Sequence, residues 1–118
     1  MQSSTKEKGK EGEDLAASFL VEKGFEIIER NYRYGKGEID IVARDKDFLV
    51  FVEVKSRESL EYGKPEEAIT KRKMSQIRKI AEAYLAEKNI TDENIRFDVV
   101  AILFLGGETT INYYENAF

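Results

Sequence analysis

From Phe48 to Val54 the chain reads Phe-Leu-Val-Phe-Val-Glu-Val, and Glu53 alone interrupts the apolar run. A strand with one exposed face would alternate apolar and polar residues, so this one is central and covered on both sides. That requirement points to an α/β domain in which other elements flank a sheet. Glu53 is the anomaly in the strand. Side chains alternate, so Glu53 and Lys55 share one face and Val54 takes the other. A charge inside a core needs a counter-charge, a metal or a polar cavity. Lys55, at the strand's end, has a route to solvent; Glu53, between Val52 and Val54, has a poorer one.

Asp40 repeats the anomaly on the preceding strand, between Ile39 and Ile41. Whether the two acids meet depends on the hairpin joining their strands. A two-residue turn at Asp45-Lys46 sets Asp40 opposite Phe51, diagonal to Glu53 on the same face. A four-residue turn over 45–48 sets it directly opposite Glu53, whereas a three-residue turn opposes it to Val52 and points it away. Directly opposed Cβ atoms lie about 5 Å apart, close enough for two carboxylates to share one cation. The site therefore requires an even turn.

The remaining pattern supplies the flanking elements. Leu15, Phe19 and Leu20 give helical spacing over Glu11–Lys23, with Gly24 as the stop. Phe25–Tyr32 reads as a first strand, Ile39–Ala43 as a second, Arg44–Asp47 as a polar turn and Phe48–Lys55 as a third strand. Pro65 opens a helix that runs to about Lys88 and buries Ile69, Ile77, Ile80, Ala81, Tyr84 and Leu85. Residues 95–105 form a buried strand, and Gly106-Gly107 turns it into a last one at 110–114. The order is α-β-β-β-α-β-β. With 118 residues, 42% of them hydrophobic, this is one domain over 9–118 behind a flexible N-terminus at residues 1–8.

The chain has no His and no Cys, which excludes disulfides, thiolate zinc sites and Ser-His nucleophile chemistry. Any metal must sit among carboxylates, carbonyls and water, the donors that suit Mg²⁺, Mn²⁺ or Ca²⁺. In that chemistry Asp40, Glu53 and the backbone carbonyl of Val54 are the ligands. The metal activates a water and stabilises charge on a scissile phosphate, while Lys55 orients the water and offsets negative charge. Acid-x12-acid-x-Lys is a weak pattern in a chain that is 36% charged, but Glu53-Val54-Lys55 is its one acid-x-Lys triplet and lies in its most apolar strand. The competing explanation is an ion pair of Glu53 and Lys55 at a strand end, with Asp40 at the solvent edge. The net charge of −4 does not announce a nucleic-acid binder. No apolar run approaches the ~20 residues that span a bilayer, so no membrane association and a cytoplasmic location are expected.

Gly37-Glu38-Ile39-Asp40-Ile41-Val42-Ala43 followed by Phe51-Val52-Glu53-Val54-Lys55-Ser56-Arg57 resembles the YraN-like uncharacterised protein family. The resemblance extends through Gly12-Glu13, Arg30-Asn31-Tyr32-Arg33, Tyr62-Gly63, Ala68-Ile69, Lys73 and Arg96-Phe97-Asp98-Val99-Val100 to Asn116-Ala117-Phe118. That family is similar to archaeal Holliday-junction resolvases and, more distantly, to restriction-type endonucleases with the PD-(D/E)xK motif. The resemblance implies a restriction-endonuclease-like α-β-β-β-α-β core with a mixed sheet, a divalent metal, and Asp40, Glu53 and Lys55 as the motif residues. Ile39 stands where the motif has proline, a departure that touches no ligand. It further implies structured or branched DNA as the partner, and a homodimer, as in resolvases. Fold analogy alone does not establish activity.

Other residues carry two readings each. Glu13 matches a first-helix acid that resolvase-like relatives bring to the metal; alternatively it stabilises the helix dipole. Glu38 shares the side of Asp40, with supporting work or solvent exposure expected ahead of direct ligation. Lys73 falls on the apolar line of the second helix and is a candidate for phosphate contact, or snorkels from the core edge. Lys71 and Arg72 begin a segment with five bases and no acid over 71–79; with Arg30, Arg33 and Arg57 they are candidates for nucleic-acid contact, against the plain reading of a solvated face. Asp98, in the apolar strand, is expected to pair with Arg96.

Overall fold

The computed structural model describes residues 5–118, with side chains from residue 9 onward. The elements are α1 (Thr5–Glu22), β1 (Glu26–Tyr34), β2 (Gly37–Asp45), β3 (Phe48–Arg57), a 3-10 turn (Pro65–Ala68), α2 (Lys71–Glu87), β4 (Asn94–Leu105) and β5 (Glu108–Tyr114). The α-β-β-β-α-β-β order and the mixed α/β class are those expected. The five strands lie in sequence order, with β3 and β4 parallel and every other neighbour antiparallel. A parallel step needs a crossover, and the crossover from β3 to β4 contains α2.

The two helices cover opposite faces. On one, Ala16 and Leu20 of α1 pack with Ile41, Ala43, Val50, Val52, Val100 and Ile102. On the other, Ile77, Ile80, Ala81 and Tyr84 of α2 pack with Val42, Leu49 and Phe51. The β3 residues thus divide by parity between the two cores, which is why that strand is apolar throughout. Tyr84 meets Phe51 edge-on at 5.6 Å and Tyr32 at 5.0 Å, geometries that aromatic quadrupoles favour.

Strand ends differ from the sequence reading by one or two residues, and three differences matter more. The first helix begins at Thr5, not Glu11; of the segment expected to be flexible, residues 1–4 lie outside the described residues. The expected single helix from Pro65 to Lys88 is two pieces. Ile69 is extended, and Thr70 caps α2 by accepting from the Lys73 N–H at 3.2 Å, so the chain restarts its helix there. The hairpin turn is Lys46-Asp47 alone, with Lys46 at φ 56°, and Arg44 and Asp45 join the ladder instead of the turn.

Asp98 has no exposed surface and is fully engaged. Arg96 donates to both its oxygens at 3.0 and 2.9 Å, the Tyr113 hydroxyl donates at 2.5 Å, and the Asn116 N–H donates at 2.9 Å. Arg96 also bonds Asp45 at 2.8 Å and lies over the Phe48 ring. The network ties β4 to the β2–β3 turn, to β5 and to the C-terminal residues. Asp98→Ala would leave a buried guanidinium with Asp45 at 2.8 Å and the exposed Glu115 at 3.7 Å, and is expected to cost about 3 kcal/mol in urea unfolding. Asp98→Asn, which keeps part of the bonding, should cost less.

Candidate functional site

The β2–β3 ladder runs from Asp45↔Phe48 to Ile41↔Val52 and then ends. The turn is even, as the site requires, and the register is the one that continues to Asp40 opposite Glu53. In place of a next rung, the Val54 N–H donates to Asp40 Oδ2 at 2.8 Å. The N–H and C=O of one residue leave a strand on the same side, so the Val54 carbonyl also faces the gap between β2 and β3. The gap has a visible cause. Ile39 packs into the α2-side core and Ile41 into the α1-side core, although two residues apart they should share a face. Across from Asp40, Asn31 of β1 is unpaired in the ladder and has φ 56°. The hairpin twists sharply at Asp40, and a twist of this kind re-aims side chains.

Glu53 is only 6% exposed, and its Oε2 has no hydrogen-bond partner among the described residues. Burial, then the charge of Asp40, pushes its carboxyl up to about 8; Lys73 and Lys55 oppose the shift. Asp40 is raised too, by burial first, and by Glu13 and Glu38, against the lowering effect of the Val54 N–H. Two carboxylates this close cannot both ionise cheaply without a cation between them. Without a cation, burial and mutual repulsion favour the pair holding a proton at neutral pH.

Glu13, Glu38 and Asp40 form a second grouping, each offering an oxygen within 4.8 Å of the others. Glu13 reaches them because α1 comes close to β3: a Cβ on Gly12 would lie 3.1 Å from Ser56 Cβ and Oγ, so any larger residue there would crowd the approach. Asn31, which the motif reading had not singled out, joins them. Its amide nitrogen donates to Glu13 Oε1 at 2.7 Å and to Glu38 Oε1 at 2.9 Å. Its left-handed backbone, which asparagine tolerates better than most residues, aims it there. Beside this grouping lies a cleft of about 480 Å³ bordered by Lys10, Arg30, Arg33 and Glu38. The donors are all oxygen, with Glu13, Glu38 and Asp40 half-buried and Glu53 buried, and Glu53 Oε2 lacks a partner among the described residues. That set fits a hard divalent cation.

Cations line the same region. Lys73 Nζ stands 4.0 Å from Glu53 Oε1, so Lys73 is brought to the acids from α2. Lys55 is half-buried on the Glu53 face. Arg30 bonds Asp14 at 2.8 Å and lies 3.7 Å from Glu13, and Arg33 is 3.2 Å from Glu38. Arg57 has a buried Nε without a partner among the described residues. Lys71 and Arg72 are exposed at the start of α2.

The fold and the acids at the parting of β2 and β3 define a mixed α/β protein with a candidate hard-cation site on its central hairpin. The chain belongs to the uncharacterised protein family UPF0102, whose sequence profile matches residues 12–102 and so spans Glu13, Asn31, Glu38, Asp40 and Glu53. This is the family that the motifs resemble. The chain is 45% identical over 115 residues to a UPF0102 protein of Dictyoglomus turgidum, covering 96% of this chain and 98% of that one. A relative from Geobacter sulfurreducens is 50% identical over 111 residues, covering 93% and 87%, and one from Clostridioides difficile is 43% identical over 113, covering 96% and 97%.

The raised acids set a pH dependence. A group whose folded pKa is raised contributes stability that is full below its ordinary range and lost as pH climbs through the raised value. The metal-free protein should therefore lose thermal stability from about pH 5 to about pH 8, the window set by the ordinary carboxyl range and the raised Glu53. Asp40→Asn still accepts from Val54 and removes the like charge, so it should stabilise the metal-free protein by about 1 kcal/mol at pH 8. Unfolding curves at pH 5.5 and 8 with EDTA read both effects.

Proposed function

We propose that this protein is a divalent-cation-dependent endonuclease that hydrolyses phosphodiester bonds of structured or branched DNA. The observation that carries the reading is the pairing of half-buried Asp40 with buried Glu53, whose Oε2 has no partner among the described residues, beside two further acids and Lys55 and Lys73. Asp40, Glu53 and the Val54 carbonyl would hold Mg²⁺ or Mn²⁺, with Glu13 as a further ligand and Glu38 and Asn31 fixing the orientation of the acids. When bound, the cation supplies Lewis-acid stabilisation of phosphate charge and a water of lowered pKa.

The chain's own residues do the rest. Lys55, on the face of Glu53, orients the attacking water and offsets charge on the phosphate. Lys73, held by Glu53, contacts a non-bridging phosphate oxygen. Arg30 and Arg33 border the cleft beside the acids, and with Arg57 of β3 and Lys71 and Arg72 of α2 they would contact backbone phosphates on either side of the cut. None of these groups reads a base sequence, so the recognised feature is the shape of the DNA. A symmetric junction calls for two copies of the site, hence a homodimer on that substrate.

Cleavage of a labelled panel (single strand, duplex, flap, four-way junction) in Mg²⁺, Mn²⁺ or EDTA tests the reading. Metal-dependent cutting is expected, falling at least about a hundredfold in Glu53→Gln and in Asp40→Asn. Cutting retained in both variants would sink the site. Salt-sensitive binding without cutting in any metal would instead make the protein a nucleic-acid-binding module. Asn31→Gly, which permits the same backbone, should weaken Mg²⁺ binding by about tenfold in calorimetry.

A further inference from the structure

A second cleft of about 480 Å³ lies on the α2 face of the sheet, between the 3-10 turn, the start of α2 and the end of β5. This is within the ~300–1,000 Å³ of ordinary small-molecule sites. Ile69, Met74, Val99 and Ala117 give it apolar walls, and Tyr114 stands at its edge. Two features fix its place relative to the acids. Val99 is the β4 partner of Glu53, one strand spacing (about 4.8 Å) away. Met74 follows Lys73, whose ammonium reaches Glu53. Glu66 and Glu115 complete the lining. The Tyr114 hydroxyl donates to Glu66 Oε2 at 2.5 Å and helps hold that carboxylate ionised.

The lining selects its occupant. Two carboxylates repel a phosphate, so the cleft is not a continuation of the backbone track. Apolar walls with an aromatic edge suit a flat ring, and carboxylates accept hydrogen bonds from ring amino groups. From these observations, and resting on the endonuclease reading above, we propose that the cleft receives one unpaired nucleobase next to the scissile phosphate, favouring the amino-bearing bases adenine, cytosine and guanine over thymine. A phosphate at Lys55 and Lys73 lies within a nucleotide's reach of the cleft. The substrate is then DNA in which one base near the cut is already out of the stack, as at a junction, flap or bulge. Intact duplex must first be unstacked, which disfavours it as a substrate.

The test uses duplexes carrying a single-nucleotide bulge of adenine, cytosine, guanine, thymine or an abasic sugar, cut by the full chain in Mg²⁺ or Mn²⁺. The adenine, cytosine and guanine bulges should be cleaved about tenfold more efficiently (kcat/KM) than the abasic one, with thymine nearer the abasic value. Met74→Trp, which fills the cleft, should bring all five to the abasic rate while thermal stabilisation by Mg²⁺ is unchanged. Equal cleavage of all five by the wild type would overturn the proposal, as would discrimination that survives Met74→Trp. If the wild type cuts nothing, the endonuclease reading fails separately, and 2-aminopurine in the bulge decides the cleft. Quenching of its fluorescence on binding, lost in Met74→Trp, would uphold a base-receiving cleft; no quenching, or quenching that persists in the variant, would overturn it.

Discussion

The site hangs on one hydrogen bond, the Val54 N–H to the Asp40 carboxylate. Strands that part inside a domain leave backbone groups without partners, and a buried partnerless N–H is costly. Here the carboxylate takes the place of the missing rung. It lets β2 and β3 separate at Ile41↔Val52 without an orphaned donor, and it holds an acid against Glu53 that would otherwise turn to water. The same substitution leaves the Val54 carbonyl facing the gap. A fold that closed its ladder to the end of β2 would have no such opening.

The surroundings stabilise an arrangement that is electrostatically unfavourable without a cation. Glu53 is fixed by β3, whose neighbours fill both cores, so it cannot leave without moving Phe51 and Val52. Asp40 is fixed by the twist of β2 and by Val54. Gly12 brings Glu13 in, and Asn31 gathers Glu13 and Glu38 with one amide. The Arg96–Asp98–Tyr113 network lies on the α1 side of the same strands, and by anchoring Asp45 it pins the other end of the hairpin. Strain at the open end is thus met by tight bonding at the closed one.

Much of this was legible from residue order, and for definite reasons. An apolar strand broken by one acid can only be central, so β3 and the two flanking layers followed, and the parity of the hairpin turn was a checkable condition that the structure meets. The pairing of Asp98 with Arg96 followed from the cost of a lone buried charge. The break before α2 was missed because the apolar spacing from Ile69 continues across it, while Thr70, the cap, was not weighed. Asn31 was missed because it lies in a strand of alternating pattern. Its signal was a residue tolerant of positive φ amid charged neighbours, and nothing in periodicity marks an amide that will bridge two acids from other segments. The cleft beside Val99 was also out of reach, since it joins the 3-10 turn, α2 and the last strand through contacts far apart in the chain.

An overall acidic chain is not at odds with a nucleic-acid substrate, because its charges near the site are already spent on one another. Arg30 is held by Asp14 and Glu13, Arg33 by Glu38, and Lys73 by Glu53. On the proposed reading, a divalent cation bound by Glu13, Asp40 and Glu53 would add two positive charges and compete with those cations for the same oxygens. The arginines and Lys73 would then be freer to face phosphate, so that the surface becomes basic when the cation arrives. Reciprocity requires the converse, that DNA phosphate near these residues tightens cation binding by the same free energy. The formal charge of −4 therefore describes the molecule with its acids unfilled, and a count of residues cannot show which of its charges remain available.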